Sequence, residues 1–398
     1  MTEESPASQL QPDPNVVRIE SMAHGGAGLA RAEGKIVFVS GALPGEMVRV
    51  AIDESKDQFD RAHVVDVLEA SPDRIQPPCP HAGVQEDSCG GCQWQHASYE
   101  AQLRFKREIV VEQLQRIARI ETPQVEEAIP CPSPFGYRRH IQVALARDGR
   151  PGFRGARSDR VVPVDGCPIA VPQIDHWLST TSQLTGGQRF EIRSGDDEET
   201  PLQTWRSEHV ANDLARTDPL TLRVKDRNFR VSVGSFFQSN ALLVDSLVDL
   251  VLQSAAVASG ERVLDGYCGV GLFSAFLAED ADKVVAVESS RTAVSDARVN
   301  LVDRRVELRA EMLERELPKI RGTFDVVVLD PPRSGCAKAL PALIQKAPAR
   351  IVYVSCDPAT LARDTRVLLE AGYDLETVQP IDMFPQTFHI ETVSTFRR

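Results

Sequence analysis

The chain has no apolar run of about 18 residues or more, so no helix of it is expected to cross a membrane. Its opening stretch, MTEESPASQLQPDPN, lacks the basic start and apolar run of a signal peptide. Residues 1–14 are therefore expected to be a loose tail, and the protein to be cytoplasmic, with no membrane partner. No internal repeat at solenoid spacing is present. An excess of positive charge is also missing, since the net charge is −12. Phosphate binding needs local positive charge, so a nucleic-acid partner requires a basic face concentrated somewhere on this acidic chain. Gly136–Arg160 is the candidate, with seven arginines against two aspartates (Arg138, Arg139, Arg147, Arg150, Arg154, Arg157 and Arg160), the alternative being an ordinary solvated surface.

What is there fits an ordinary globular protein of 398 residues, 42% hydrophobic and long enough for two or three domains. Residues 15–70 alternate short strand patterns with Gly and Pro turns, which predicts a small β-barrel, either one that binds oligonucleotides or a structural accessory. The segment PDRIQPPCPH closes that unit. Residues 71–233 form a central, mainly β region containing a long helix over 97–119, in which Leu103, Ile109, Val110, Leu114 and Ile117 recur at helical spacing. That helix is expected to pack on the catalytic unit. The segment DDEET, from Asp196 to Thr200, reads as an exposed loop. From 234 to 398 the texture is α/β. Apolar strands ending at LDGY, VESS, VVVLD and VYVSC alternate with amphipathic helices, as in a doubly wound parallel sheet with ligands at the strand ends.

In RVLDGYCGVGLFS a strand runs through a glycine turn into a helix, letting backbone approach a ligand closely. The next strand ends at Glu288, placed to bind both hydroxyls of an adenosine ribose. The G-x-G-x-x-G spacing that cradles a pyrophosphate is absent, which favours S-adenosylmethionine over NAD. FDVVVLDPPRSG puts Asp330 at another strand end. It is like the D/N-P-P-aromatic motif of amine methyltransferases, but Arg333 stands where an aromatic would stack on the base. IVYVSCDPATLARD puts Cys356 at a strand end before a sharp turn. Methylating C5 of a pyrimidine needs such a thiol, because addition to C6 makes C5 nucleophilic, and it needs a base to remove the C5 proton. HIETVSTF offers Glu391, or His389 two residues earlier and so on the same strand face.

Together FFQSN, LDGYCGVGLFS, VLDPPRSG, SCDPATLARD and DMFPQTFHIETV resemble the bacterial RNA uracil-C5-methyltransferases. The resemblance covers nearly the whole chain. It implies a Rossmann-like class I S-adenosylmethionine-dependent methyltransferase domain, with residues 15–70 as an OB-like TRAM domain. It implies Cys356 as nucleophile and Glu391 as general base. Gln238, Tyr267, Glu288 and Asp330 would contact the cofactor, and Phe236 would stack near the uracil. Leu272 and Met312 stand where relatives often have asparagines. The implied partner is RNA, with 23S rRNA favoured and tRNA the alternative, and a monomer is expected. Amine methylation through Asp330-Pro331-Pro332 and a non-catalytic RNA-binding protein are the rival readings.

Cys79, Cys89, Cys92 and Cys167 read as a metal site, because a C-x-x-C pair in a cytosolic chain is rarely a disulfide. Zinc is the default from spacing, and the resemblance implies a [4Fe-4S] cluster instead. The interval between Cys79 and Cys89 carries an apparent insert, QEDS. Cys131 is a spare ligand, and Cys268 and Cys336 read as core or loop thiols.

Overall fold

A computed structural model of the chain describes residues 15–398, apart from residues 33, 183, 185–188, 197–202 and 207–218. Most of the DDEET segment lies outside the described residues. Among those described, no helix is long and apolar enough to cross a membrane.

Six strands open the chain: β1 (Val16–Arg18), β2 (Ser21–Met22), β3 (Gly28–Ala32), β4 (Lys35–Ser40), β5 (Met47–Ser55) and β6 (Phe59–Glu69). They pair in the order β1-β5-β6-β4-β3-β2. Just Ile19 and Glu20 separate β1 from β2, so both edges of this sheet belong to one continuous stretch. The sheet thereby curls into a barrel. Its interior is the alternating apolar set that includes Val37, Val39, Val48 and Val50.

Helix α1 (Tyr99–Gln113) starts at Ser98, whose hydroxyl caps the Ala101 amide. A wider turn (Leu114–Ala118) extends it to Arg119, which adopts a left-handed conformation. Phe105, Ile109, Val110 and Leu114 are buried. Leu103 and Ile117 are half-buried, and the polar Gln102 and Lys106 take core positions instead. The apolar period thus locates the helix without fixing its inward face. α1 shares a core with barrel residues Met22 and Leu43 and with one face of the large sheet described below.

The central layer is a sheet of β7 (His140–Leu145), β8 (Pro151–Arg154) and β9 (Val161–Pro163), followed by helix α2 (Pro172–Thr180), then β10 (Arg189–Arg193) and β11 (Gln203–Arg206). Its order is β11-β10-β7-β8-β9. A hairpin follows, β12 (Leu220–Val224) and β13 (Arg227–Val231). Although it precedes residue 234, its Leu222 and Phe229 pack into the core on the other face of the large sheet.

That sheet contains α3 (Val244–Ala255), β14 (Arg262–Gly266), α4 (Leu272–Asp280), β15 (Lys283–Glu288), α5 (Arg291–Asn300), β16 (Val306–Ala310), α6 (Leu313–Glu316), β17 (Val326–Leu329), α7 (Leu340–Lys346), β18 (Arg350–Ser355), α8 (Pro358–Glu370), β19 (Asp374–Ile381) and β20 (Glu391–Arg397). The order is β16-β15-β14-β17-β18-β20-β19. The first five strands are parallel, and β20 runs antiparallel between β18 and β19. Parallel strands buried on both faces are near-continuous apolar runs, as VVVL and IVYVS are. Truncating Ile109, which is 1% exposed between α1 and this sheet, should cost about 2–5 kcal/mol of stability in urea unfolding. An unchanged midpoint would mean that α1 is not part of the core.

Candidate active site

The carboxyl ends of the parallel strands converge on one edge of the sheet, where an α/β fold leaves its crevice. β14 ends at Gly266, where an added Cβ would lie 2.8 Å from the side chains of Leu313 and Leu329. Three residues of the following turn have left-handed φ: Tyr267 (66°), Gly269 (56°) and Gly271 (90°). Glycine takes this region freely, whereas Tyr267 must be held there. Its amide and that of Cys268 donate to the Val287 carbonyl at 2.9 and 3.1 Å. Glu288 completes the tie. It accepts from the Gly269 amide (3.0 Å) and from the amides of Ser289 (2.7 Å) and Ser290 (2.6 Å).

β18 and β20 bring the next two groups together. Ser355 is paired with Thr392 in the antiparallel ladder. Cys356, one residue past Ser355, is thereby set beside Glu391, one residue before Thr392. Asp357 caps α8 by accepting from the Thr360 amide, which fixes the turn that follows the thiol. His389 lies ahead of the first residue of β20, so the shared strand face expected for His389 and Glu391 does not exist. The chain is irregular there, and His389 packs instead against the Phe384 and Phe388 rings. Its ring nitrogens lie 3.3 and 3.4 Å from the Arg333 guanidinium.

One cavity of about 690 Å³ is lined by Gln238, Tyr267, Glu288, Asp330, Cys356 and Glu391 together. That size lies within the range of small-molecule and cofactor sites. Phe236 stands on its rim, 64% exposed, which is unusual for an aromatic side chain. Leu272 and Met312 also line it, so apolar side chains take the two positions where asparagines were expected.

The cavity is electrostatically unusual. Burial, then the nearby Glu391 and Asp330 carboxyls, push the Cys356 thiol up to about 12. Burial and Asp330 push Glu391 well above the ordinary carboxylate range. Burial, with Asp265 beside it, pushes Asp330 up to about 7. Arg333 opposes the shift at both Cys356 and Glu391. Burial pulls His389 down to about 4, so it is neutral at pH 7. Asp265 is fully buried and pushed up to about 7. Its Oδ2 accepts from Ser274 at 2.5 Å, and its Oδ1 has no partner among the described residues.

Cys79, Cys89, Cys92 and Cys167 line a second cavity, of about 670 Å³, which shares Arg333 and His389 with the first. Burial pushes Cys92 to about 12 and Cys167 to about 11, and neighbouring thiols add to both shifts. Yet no three His, Cys, Asp or Glu side chains among the described residues are gathered closely enough to hold a metal ion. Neither the expected zinc site nor the expected [4Fe-4S] site is supported by this arrangement. The QEDS insert packs outward, with the Glu86 and Ser88 carbonyls bonded to Ser158 and Ala156. Cys131 is elsewhere, buried against Asn240, and Cys268 and Cys336 are buried.

The arginine-rich segment separates into two groups. Arg139 is buried and paired with Asp196 at 2.9 Å, which removes it from the candidate phosphate contacts. Arg150, Arg154 and Arg157 pair with Asp148, Asp159 and Asp53. Arg138 lines the cysteine cavity and donates to the His140 carbonyl. Arg147 and Arg160 line a groove and have no carboxylate partner among the described residues.

The family description tRNA (Uracil-5-)-methyltransferase fits residues 216–398, and the TRAM domain description fits residues 16–65. An uncharacterized RNA methyltransferase of Streptomyces avermitilis is 36% identical, over 95% of this chain and 96% of that protein. A 23S rRNA (uracil(1939)-C(5))-methyltransferase of Alkalilimnicola ehrlichii is 32% identical, over 98% of each chain. The chain belongs to the RNA uracil-C5-methyltransferase family. The fold agrees. The crystal structure of the Pyrococcus abyssi tRNA (uracil-54, C5)-methyltransferase, in complex with S-adenosyl-L-homocysteine, superposes with a TM-score of 0.72 at 24% identity, over 96% of this chain and 99% of that one. This uracil-C5-methyltransferase is thus an S-adenosylmethionine-dependent enzyme of α/β fold with a TRAM barrel at its N-terminal side.

Two buried contacts near the site escaped the sequence reading. The buried Lys106–Asp382 pair joins residues far apart in the chain, and Asn240, quoted within FFQSN, bonds the Met383 carbonyl. Two outcomes are expected. Alkylation of Cys356 in the free enzyme, followed by mass spectrometry of its peptide, should rise tenfold per pH unit from 7 to 9.5 without levelling. A plateau near pH 9 would mean an ordinary thiol. Replacing Arg147 and Arg160 with Ala should reduce the salt slope of RNA affinity by about 1.4–1.8, and replacing the internally paired Arg154 and Arg157 should reduce it less.

Proposed function

We propose that the enzyme methylates C5 of one uridine of 23S rRNA through a covalent adduct between Cys356 and C6. The observation that carries this reading is the β18–β20 register, which places a thiol beside a carboxyl in the cavity bearing the glycine turn. The likeness to the Alkalilimnicola enzyme over nearly its full length supports a ribosomal substrate. Transfer RNA is the second substrate reading, favoured by the shared fold with the Pyrococcus tRNA (uracil-54, C5)-methyltransferase.

S-adenosylmethionine, which Gln238, Tyr267, Glu288 and Asp330 would hold, would supply an electrophilic methyl group, its sulfur keeping the electron pair of the broken bond to that methyl. The protein's own groups do the rest. A uracil extruded from its stack enters beside Phe236. The Cys356 sulfur, losing its proton, bonds to C6, and the C5=C6 electrons move toward the ring carbonyl as an enolate. C5 then takes the methyl group, and Glu391 removes the proton left on C5. The electrons of that C–H bond re-form C5=C6, and the sulfur leaves with its bonding pair.

Burial favours the protonated form of both acidic partners, so each must lose a proton before it acts. Arg333 favours the charged form of both. Asp330, near 7, can exchange protons at neutral pH. The [4Fe-4S] cluster implied by resemblance is not carried into this reading, because no metal-ion site is gathered among the described residues.

The test is mass spectrometry after mixing enzyme, S-adenosylmethionine and an RNA containing 5-fluorouridine. Fluorine at C5 cannot leave as a proton, so elimination stalls. The expected product is an adduct carrying one extra methyl, lost in Cys356→Ala. Full methylation activity in Cys356→Ala would instead favour amine methylation through Asp330-Pro331-Pro332.

A further inference from the structure

The loop from Asp382 to Ile390 carries Phe384 and His389 to the cavity wall and delivers Glu391. Four successive carbonyls at its start each accept a bond from outside the loop. Asn240 Nδ2 donates to Met383 at 3.1 Å, Lys106 Nζ to Phe384 at 2.9 Å, the Tyr137 hydroxyl to Pro385 at 2.8 Å, and the Trp94 amide to Gln386 at 3.0 Å. Gln102 grips Gln386 from both ends. It accepts from the Gln386 amide at 2.8 Å and donates to the Gln386 side chain at 3.0 Å. Gln386 itself sits at φ 68°, a conformation that a non-glycine residue keeps only where its surroundings impose it.

The charged member of this set is buried as deeply as the neutral ones. Lys106 is 1% exposed and pairs with Asp382 at 2.5 Å. A fully desolvated ion pair is a poor source of stability compared with apolar packing. What it supplies is direction: an ammonium with three donors satisfies a carboxylate and a carbonyl in one geometry only. Lys106, Gln102 and Trp94 belong to α1 and the segment just before it, while Tyr137 and Asn240 come from two other stretches. All of them meet the chain within nine residues of Glu391.

We propose that Lys106 and Tyr137 are positioning residues for the base: by fixing the Asp382–Gln386 segment they hold Glu391 where the C5 proton of the methylated adduct will be. This rests on the proposed roles of Cys356 and Glu391. The elimination step depends on this placement more than methyl transfer does, because the methyl group passes between cofactor and C5 without the base.

The experiment is a single turnover with uridine-containing RNA, quenched in denaturant. It follows the methylated adduct on Cys356 and its decay to free product. Tyr137→Phe removes one hydroxyl and keeps the ring. It should slow decay about tenfold while methyl transfer stays within about twofold, so that methylated adduct accumulates. Lys106→Met should slow decay about a hundredfold. Should Lys106→Met fail to fold, as judged by circular dichroism, Tyr137→Phe decides alone. Unchanged decay in Tyr137→Phe would overturn the proposal, as would equal slowing of both steps. Glu391→Gln separates the two readings. If it traps the methylated adduct while the clamp variants do not, the positioning role alone fails. If it traps none, the proposed role of Glu391 falls and the positioning role with it.

Discussion

The site depends on one strand insertion. β20 enters antiparallel between β18 and β19, so the chain's last strand starts where the parallel strands end. Every parallel strand delivers its loop to the same edge of the sheet, but all of those loops lead away into helices. An antiparallel strand brings a residue back to that edge at its beginning. Glu391 therefore stands beside Cys356 through backbone register, and a one-residue slip would turn its side chain to the opposite face. Thr392 adds a hydroxyl bond to the Ser355 carbonyl at 3.3 Å, which ties the two strands at the point where precision matters.

This convergence has an electrostatic cost. Asp265, Asp330, Glu391 and Cys356 share a region of low dielectric with one nearby guanidinium, and burial favours the neutral form of each. For Asp265 and Asp330 the folded values, near 7, lie above the unfolded ones. The stability these acids contribute is fully present below about pH 4 and is lost as pH rises through 7. His389 works in the opposite sense. Its folded value, near 4, lies below the unfolded one, so its contribution is present above about 6.5 and is lost as pH falls toward 4. Neutral pH is thus a compromise. A cationic sulfonium entering the cavity would relieve the first strain by pairing with the carboxylates.

Much of this architecture is legible in the sequence, for a physical reason. A buried parallel strand must be a short apolar run, and its end must break into a turn, so LDGY, VESS, VLDPP and VSCDP announce both the sheet and its crevice. What lies between elements is less legible. The helical period located α1 but not its inward face, because Gln102 and Lys106 are satisfied by partners some 280 residues away. His389 seemed to share a face with Glu391 because period-2 reasoning was extended past the strand's first residue. The arginine count overstated the basic surface, since Asp148, Asp159, Asp53 and Asp196 each claim one guanidinium. Cysteine spacing, likewise, showed which thiols share a cavity but not how near they come.

The barrel is built into this site and is not merely strung beside it. Its β2–β3 loop reaches the catalytic edge. The Gly26 carbonyl accepts from the Trp94 indole at 2.9 Å, and a Cβ at Gly26 would lie 2.7 Å from that of Phe388. His24 faces Asp357 at 3.7 Å, one residue beyond the thiol. Trp94 belongs at the same time to the core that α1 shares with the sheet and, through its amide, to the clamp on Gln386. The barrel is therefore tied to the edge that carries Cys356 by these contacts. RNA held on it would meet the cavity in one orientation, and a uridine could be chosen by its distance from a bound segment as well as by its own edges. Gly26 fits this role because only a residue without a side chain allows the barrel to approach Phe388 so closely.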